Sequence, residues 1–413
     1  MIQAAIRTFP RGTSTVARPV ELSVVMPCLN EADTLEICIL KAQAAIRSID
    51  IEAEIVIADN GSTDGSQLIA LQAGARVVNV SDKGYGSALM GGIEASLGKY
   101  VIMGDADDSY DFGDIPRFVE RLRAGAELVQ GCRLPKGGGT ILPGAMPALH
   151  RWPGNPMLTQ LVRFLFRAPI NDVYCGLRGF TRNLYDDLNL RCTGMEFATE
   201  MVIKTARFGR QIDEIPITLH PDGRKAHAPH LKTFRDGWRT LRFFLIYSPR
   251  WFFAVPGLLL IALGVLGYSL ALPGVSIFGA TLGVHSLLVA SLAILMGAQS
   301  LYFGVFARMF AVSEGMLPRN ESMDRIIRLA RPERGILFGG AMAVVGTILL
   351  ATRIVHWKNT GFGPLDHAST MRWVIPAVTL MALGYQTLIS TFMCGLLSLA
   401  RRGKGVSDSV RQN

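Results

Sequence analysis

Two aspartates with one residue between them follow a short apolar run in the segment KYVIMGDADDSYDF. The run is typical of a buried strand ending at Gly104, and Asp105 and Asp107 come directly after it. Side chains two positions apart on an extended chain point to the same side, so both carboxylates can be aimed at one point. Hard oxygen ligands of this kind suit a hydrated divalent cation, Mg²⁺ or Mn²⁺, that holds a diphosphate. The same aspartates could instead only cap turns or the following helix.

The elements that must position these carboxylates alternate between strands and helices over residues 21–132. Strands are predicted at residues 21–27, 53–59, 75–80 and 99–104, and helices at residues 33–48, 64–74 and 86–97. This alternation predicts an α/β fold with a doubly wound, mostly parallel sheet and helices on both faces. Ligands of such sheets bind beyond the carboxyl ends of the strands.

Polar residues follow each of the four predicted strands: in chain order they are Asn30 and Glu31, Asp59 and Asn60, Lys83, and Asp105. We expect them to meet at one edge of the sheet. Pro27 can end the first strand, and Glu31 offers a polar contact or is only a solvated turn residue. Asp59 can accept hydrogen bonds from a nucleobase or ribose, whereas Asp64 is expected to cap a helix. Lys83 can balance phosphate charge.

The strand–helix rhythm breaks after Gly131. The stretch GCRLPKGGGTILPGAMPALHRWPGN is rich in glycine and proline and predicts a long mobile loop, which residues 156–166 follow as a helix. Asp172 and Arg178 flank a Cys–Gly turn and could pair with each other. Glu196 and Glu200 are further acidic candidates, and a helix-start role fits Glu196 equally well.

The second part of the chain is strongly apolar. Long apolar runs cover residues 251–272, 284–306, 335–354 and 374–396, and each can cross a hydrocarbon core of about 30 Å. They lack a polar stripe, which favours four transmembrane helices over the buried helical core of a soluble domain. The basic and aromatic run at residues 229–250 suits an amphipathic helix at the membrane interface or an extension of the first span.

Charge and cysteine content narrow the class of protein and its compartment. The formal net charge is +9 and the pI is about 9.4, but much of the basic excess lies beside the predicted spans, which indicates anionic lipid rather than nucleic acid. The Lys and Arg bias places both termini and the N-terminal half in the cytoplasm. The six cysteines show no metal-binding spacing and are expected to be reduced. The N-terminus has no apolar core, so no cleaved signal peptide is expected.

The motifs together resemble a known family. MPCLNE, IADNGSTDGS, DKGYGSALMGG, GDADDSYDF and GCR, followed by MEFATEMVIKTARFGRQIDEIPI and HPDGRKAHAPH, are similar to the family 2 glycosyltransferases of GT-A fold. With the apolar helices that follow, the chain resembles the polyprenyl-phosphate sugar transferases, the group that includes dolichol-phosphate mannose synthase. The resemblance covers about residues 20–250.

The resemblance implies roles for particular residues. The counterpart of Asp59 contacts the nucleoside, with Pro27, Asn30, Glu31 and Lys83 around the donor. The counterparts of Asp105 and Asp107 hold ribose and metal, and Ser109 stands where the family often has a Gln ligand. Ser109, Asp108 and Asp111 are all open as the group that completes the metal shell. Arg224 corresponds to a residue that reaches the donor diphosphate. The acceptor phosphate is implied to contact Arg133, Arg151 and Asn155.

The implied reaction is an inverting transfer of a sugar from a GDP-mannose or UDP-glucose type of donor to a membrane polyprenyl phosphate. The implied organisation is an extension at residues 1–20, a catalytic domain at 21–228, an amphipathic segment at 229–250, a four-helix membrane domain at 251–400 and a tail at 401–413. A processive polysaccharide synthase is an alternative, although its QxxRW signature is missing. A non-catalytic nucleotide-sugar-binding scaffold is another.

Overall fold

The chain forms two compact units in the computed structural model, Met1–Leu231 and Lys232–Asn413. The structure describes residues 19–224, 233–319, 321 and 332–399. The C-terminal tail, nearly all of the N-terminal extension and the start of the 229–250 segment lie outside the described residues.

The first unit is built on a seven-stranded sheet. Its strands are β1 (Leu22–Cys28), β2 (Ala53–Asp59), β3 (Arg76–Asn79), β4 (Tyr100–Met103), β5 (Leu128–Cys132), β7 (Arg178–Thr181) and β8 (Ile212–Pro216). They lie in the order β3-β2-β1-β4-β7-β5-β8, and only β7 runs antiparallel to its neighbours. The two-residue strands β6 (Thr140–Ile141) and β9 (Thr218–Leu219) form a separate parallel pair. The predicted mostly parallel α/β sheet is therefore confirmed.

The helices of this unit cover both faces of the sheet, which is why its central strands are largely apolar. They are α1 (Leu35–Arg47), α2 (Ser66–Gln72), α3 (Tyr85–Ala95), α4 (Ile115–Arg123), α5 (Asn155–Phe166), α6 (Arg182–Leu188) and α7 (Glu196–Arg207). Val24 and Met26 of β1 point into the core that includes Leu35 and Ile39 of α1. Val25 is equally buried on the opposite face, where α3 packs against β1 and β2.

Two local predictions need correction. Pro27 does not end the first strand, because β1 continues in register with β2 through Cys28. The stretch after Gly131 is not one long irregular loop. Residues Pro135–Gly137 form a turn of 3₁₀ helix, Thr140–Ile141 pairs with β9, and His150–Gly154 forms a wide helical turn that leads directly into α5. Backbone pairing with a later strand is not visible in the local Gly and Pro content.

In the part of the second unit that the structure describes, the elements are helices apart from a small hairpin. Thr233–Ile246 forms α8, and four apolar helices follow at Arg250–Ala271, Val284–Ser313, Glu333–Asn359 and His367–Ser398. All four are long and apolar enough to cross a membrane, so the predicted number of spans is confirmed. Their orientation relative to the cytoplasm stays a prediction.

Small residues bring the spans of this unit together. A Cβ at Gly297 would lie 2.6 Å from the carbonyl oxygen of Gly257, and one at Gly384 would lie 2.5 Å from that of Gly339. Only glycine allows backbones to approach so closely, and this is the packing that lipid-embedded helices favour. The first span thus packs on the second, and the third on the fourth.

Candidate active site

The carboxyl ends of β1, β2, β3, β4 and β5 lie at the same edge of the sheet, because these strands share one direction. The polar residues predicted to meet there do follow the ends of β1 to β4. Strand β5 adds Arg133, which comes directly after Cys132. The sequence pattern therefore located the edge, and the contacts below show how each side chain is held.

Asp105 and Asp107 follow β4 and are held by different partners. The Tyr85 hydroxyl donates to Asp105 Oδ1 at 2.8 Å, and Asp107 Oδ1 accepts from both the backbone amide and the hydroxyl of Ser109, at 3.1 and 2.6 Å. Burial and the charge of Asp107 raise the pKa of Asp105 to about 6. The two carboxylates are thus close enough to repel each other.

The chemistry of the donor atoms tests whether a divalent cation fits here. The side chains of Asp105, Asp107 and Ser109 supply hard oxygen atoms, and a cation would remove the cost of two neighbouring negative charges. Among the described residues, no cluster contains three or more His, Cys, Asp or Glu side chains placed to hold a metal. A cation here would need water or phosphate oxygens for its remaining ligands, which is the usual arrangement for Mg²⁺.

Sequence reasoning missed Tyr85. It is the first residue of α3 and lies just beyond the end of β3, so it belongs to the same sheet edge as the aspartates. Its position immediately after Gly84 in DKGYGSALMGG was the available signal. Burial and the neighbouring Asp105 raise the pKa of Tyr85 well above its usual range, so the phenol stays protonated and donates to the carboxylate.

Arg224 reaches the same aspartates from a distant part of the chain. Its guanidinium donates to both carboxylate oxygens of Glu31 at 2.7–3.0 Å and to Asp222 at 2.9 Å, and its Nη2 lies 3.3 Å from Asp107 Oδ2. Burial opposes its charge, but the hydrogen bonds that it donates to Glu31 and the surrounding carboxylates raise the pKa of Arg224 above its ordinary value. Glu31 is therefore not a solvated turn residue.

Asp59 and Asn30 build the turns at the ends of β2 and β1. The carboxylate of Asp59 accepts from the amides of Gly61 and Ser62 and from the Gln67 side chain. Asn30 takes a left-handed backbone conformation, with φ of 61°, and its side-chain oxygen accepts from the Thr63 amide at 2.8 Å. Their proposed contacts with a nucleoside stay predictions.

The turn after β3 is tied to the end of β2. The side-chain amide of Asn60 donates to the carbonyls of Val80 and Asp82, and its oxygen accepts from the Gly84 amide. The Lys83 ammonium donates to the Asn60 carbonyl. Asp64 accepts from the Ser66 amide at the start of α2 and from Ala32, so it braces two loops as well as the helix start.

Arg133 and Asp172 form a buried ion pair, which corrects the predicted pairing of Asp172 with Arg178. The Arg133 Nε and Nη2 donate to the two oxygens of Asp172 at 2.7 and 2.9 Å, and Asp172 is fully buried. Arg178 instead donates to the backbone carbonyls of Ala198 and Cys175. Burial opposes ionisation of both partners, yet their mutual attraction lowers the pKa of Asp172 and raises that of Arg133.

The remaining acceptor candidates lie where the wide helical turn enters α5. Arg151 packs over the Trp152 ring at 5.5 Å, and its buried Nε has no hydrogen-bond partner among the described residues. The Asn155 side chain contacts the Met146 sulfur at 3.5 Å. Of the predicted acceptor-phosphate residues, Arg151 thus retains an unused donor, whereas Arg133 is largely occupied by Asp172.

Glu196 is the first residue of α7, and Glu200 lies one turn later in the same helix. Glu200 is fully buried and pairs with Lys204 at 2.9 Å, and it also accepts from the backbone amides of Arg191 and Cys192. This ion pair fixes the loop that packs against α3, because the Ser87 amide donates to the Thr193 carbonyl. Glu200 therefore has a structural role that its sequence position did not reveal. All six cysteines are free thiols, and none pairs with another.

Comparison with known proteins adds to this geometry. Residues 23–188 match Glycosyl transferase family 2, and residues 305–398 match Glycosyltransferase family 2 C-terminal transmembrane region. The low-salt glycan biosynthesis hexosyltransferase Agl6 of Haloferax volcanii is 36% identical over 379 residues, which cover 91% of this chain and 89% of that protein. A dolichyl-phosphate hexose transferase of the same organism is 33% identical over 218 residues, covering 52% of this chain and 89% of its own.

Among solved structures, glucosyl-3-phosphoglycerate synthase from Mycobacterium tuberculosis, with Mn²⁺ and uridine diphosphate bound to that enzyme, aligns with 55% of this chain and 77% of its own. The identity is 21% and the TM-score is 0.41. The relationship to Agl6, by contrast, extends along nearly the whole chain and through both of its parts. The chain therefore belongs to the family 2 glycosyltransferases and carries the C-terminal transmembrane region of that family.

Proposed function

We propose that this glycosyltransferase moves a hexose from a nucleoside-diphosphate sugar of the GDP-mannose or UDP-glucose type to a polyprenyl phosphate, giving a lipid-linked sugar. The observation that carries the proposal is the pair of carboxylates, Asp105 and Asp107, which Tyr85 and Ser109 hold at the carboxyl edge of the sheet in a chain with four apolar spans. The similarity to a dolichyl-phosphate hexose transferase supports this class of acceptor. The catalytic unit and both termini would face the cytoplasm, where nucleotide sugars are made.

In this proposal Asp105, Asp107 and Ser109 hold Mg²⁺ or Mn²⁺ beside the donor diphosphate. A bound divalent cation supplies Lewis-acid stabilisation of the charge that develops on the leaving nucleoside diphosphate. Tyr85 keeps Asp105 oriented, and Ser109 does the same for Asp107. Asp59 and Asn30 shape the loop on which the nucleoside would lie, with Lys83 and Arg224 as cations near its phosphates.

The acceptor needs cations more than it needs a base. A lipid monophosphate carries nearly two negative charges at neutral pH because its second pKa is about 6, so its oxygen is already a nucleophile. Arg151 is proposed to bind that phosphate through the guanidinium donors that the described residues leave unused, with Asn155 beside it. Arg133 contributes, through its pairing with Asp172, a fixed positive charge beside Asp105, while its Nη1 donates to the Tyr110 hydroxyl at 3.4 Å. Attack opposite the leaving group inverts the anomeric carbon.

A panel of radiolabelled donors and acceptors tests this function. The full-length protein in detergent is incubated with GDP-mannose or UDP-glucose and polyprenyl phosphate, and the lipid fraction is separated. We expect a single labelled sugar on lipid with one of the donors. Label in a long polymer would favour the processive synthase, and binding of a nucleotide sugar without any transfer would favour the non-catalytic scaffold.

A further inference from the structure

Arg224 is surrounded by more negative charge than it can neutralise. Glu31, Asp222 and Asp107 all contact its guanidinium, and the side chains of Arg224, Glu31 and Asp107 are 14, 6 and 12% exposed. The charge of Arg224 also acts on Asp105, where it opposes the rise in the pKa of that carboxyl. The guanidinium of Arg224 is therefore shared by three carboxylates at the place where a divalent cation is proposed.

The three contacts of Arg224 are unequal. Those with Glu31 and Asp222 measure 2.7–3.0 Å, which is normal for charge-assisted hydrogen bonds. The 3.3 Å approach to Asp107 Oδ2 is longer, so the guanidinium is anchored by Glu31 and Asp222 and only approaches Asp107. Asp107 Oδ2 is the oxygen that Ser109 leaves open, since both donors of Ser109 go to Oδ1.

The backbone holds this arrangement in register. The amide of Gly223 donates to the Asp107 carbonyl at 3.0 Å, and the amide of His220 donates to the Ser109 carbonyl at 2.9 Å. The segment that carries Arg224 is thus fixed along the loop that carries Asp107 and Ser109. An exchange of partners at Asp107 needs only a rotation of the Arg224 side chain and no movement of the main chain.

We propose that Arg224 is the resident counter-ion of Asp107 in the substrate-free enzyme and that a divalent cation must take Asp107 Oδ2 from it. This inference rests on the proposed function, which supplies the cation and the donor diphosphate. Two cations repel each other at one carboxylate oxygen, so Arg224 weakens binding of the metal alone. A nucleoside diphosphate offers Arg224 new acceptor oxygens and releases Asp107. Metal and nucleotide therefore bind cooperatively, and each strengthens the other by the same factor.

Mn²⁺ binding to the full-length protein in detergent, followed by electron paramagnetic resonance, tests the competition. Titrations are made with Mn²⁺ alone and with GDP or UDP present. For the wild type we expect weak binding of Mn²⁺ alone and a gain of about tenfold or more with the matching nucleotide. Arg224→Gln should bind Mn²⁺ alone about tenfold more tightly than wild type and lose most of the gain from nucleotide.

Two controls separate a local exchange from a general change in charge. Arg224→Lys keeps a cation at this point and should bind Mn²⁺ alone as weakly as wild type. Arg117→Gln removes the same charge from an exposed pair with Asp114, and it should change neither affinity. Thermal unfolding checks that each variant is folded, and Arg224→Met gives the same loss of charge if the Gln variant does not fold.

The outcomes distinguish this inference from the proposed function. If Arg224→Gln and Arg224→Met bind Mn²⁺ alone no more tightly than wild type while nucleotide still strengthens binding, Arg224 does not compete for Asp107 and the inference is overturned. If Mn²⁺ fails to bind the wild type with either nucleotide, or binds Asp107→Asn equally well, the cation site itself is wrong and the proposed function loses its main support.

Discussion

The buried pair of Arg133 and Asp172 gives the most quantitative prediction about the catalytic unit. Asp172→Asn keeps the size of the side chain but removes the negative charge of the carboxylate. That carboxylate accepts hydrogen bonds from Nε, Nη2 and the backbone amide of Arg133. The Arg133 side chain is only 9% exposed and Asp172 is fully buried, so solvent cannot replace the lost partner. The variant therefore leaves a buried guanidinium without its counter-charge.

Removing one member of a buried ion pair costs about 3–5 kcal/mol of unfolding free energy. For a unit of 150–250 residues this corresponds to a fall in the unfolding midpoint of roughly 6–20 °C. Glu21→Gln is the matched control, because it breaks the exposed pair with Arg123, in which the two side chains are 32 and 46% exposed. Exposed pairs contribute about 0–1 kcal/mol, so this control should lose at most about 4 °C.

Thermal unfolding of the full-length protein in detergent, followed by tryptophan fluorescence and circular dichroism, measures both variants under one condition. A fall in the midpoint of Asp172→Asn no larger than that of Glu21→Gln would refute the reasoning. It would mean that Arg133 finds another partner or water at no cost, so that its position does not depend on Asp172.

Two further predictions concern the aspartate pair and the loop beside α3. Mn²⁺ affinity should fall as the pH drops through about 6, because Asp105 then takes up a proton. Ionisation of Asp105 should also destabilise the fold as the pH rises from 3.8 to about 6. A Mn²⁺ affinity that is constant from roughly one pH unit below that pKa to roughly two units above it would contradict this. Gly86→Ala should cost about 1–3 kcal/mol in thermal unfolding. Its Cβ would lie 2.3 Å from the Cys192 carbonyl and 2.9 Å from that of Gly194, and an unchanged midpoint would show that the loop moves aside freely.

The sequence pattern was enough to predict the parallel strands β1 to β4 and the edge of the sheet at which their carboxyl ends meet, but not β5, β7 and β8. The runs around Val24, Ile57 and Ile102 are mostly apolar because both faces of these strands are buried. Parallel strands then bring their carboxyl ends together, which is why Asp105 could be grouped with Glu31 and Lys83. The four apolar helices could also be predicted from the sequence, since a helix that spans a membrane must be long and apolar.

Pairing between distant side chains could not be predicted in the same way. Glu31 and Arg224 are 193 positions apart, and Arg133 and Asp172 are 39 apart, so neither pair leaves a local pattern. Asp172 and Arg178 could have formed a pair because they are near in sequence, whereas in the structure Arg178, on the antiparallel strand β7, donates to the carbonyls of Cys175 and Ala198. Such pairs depend on strand order and direction, which hydrophobic periodicity does not encode.

The most direct test of the account is metal-dependent transfer by Asp107→Asn, with Asp108→Asn as its matched control. Asp108 is adjacent, but it pairs with Lys41 at 2.7 Å, and its φ of 59° is one that Asn tolerates. With Mn²⁺, radiolabelled donor and polyprenyl phosphate, we expect wild type and Asp108→Asn to label the lipid. EDTA should abolish transfer, and Asp107→Asn should lose about a hundredfold or more. Transfer by Asp107→Asn at the wild-type rate, or transfer that persists in EDTA, would contradict the central claim.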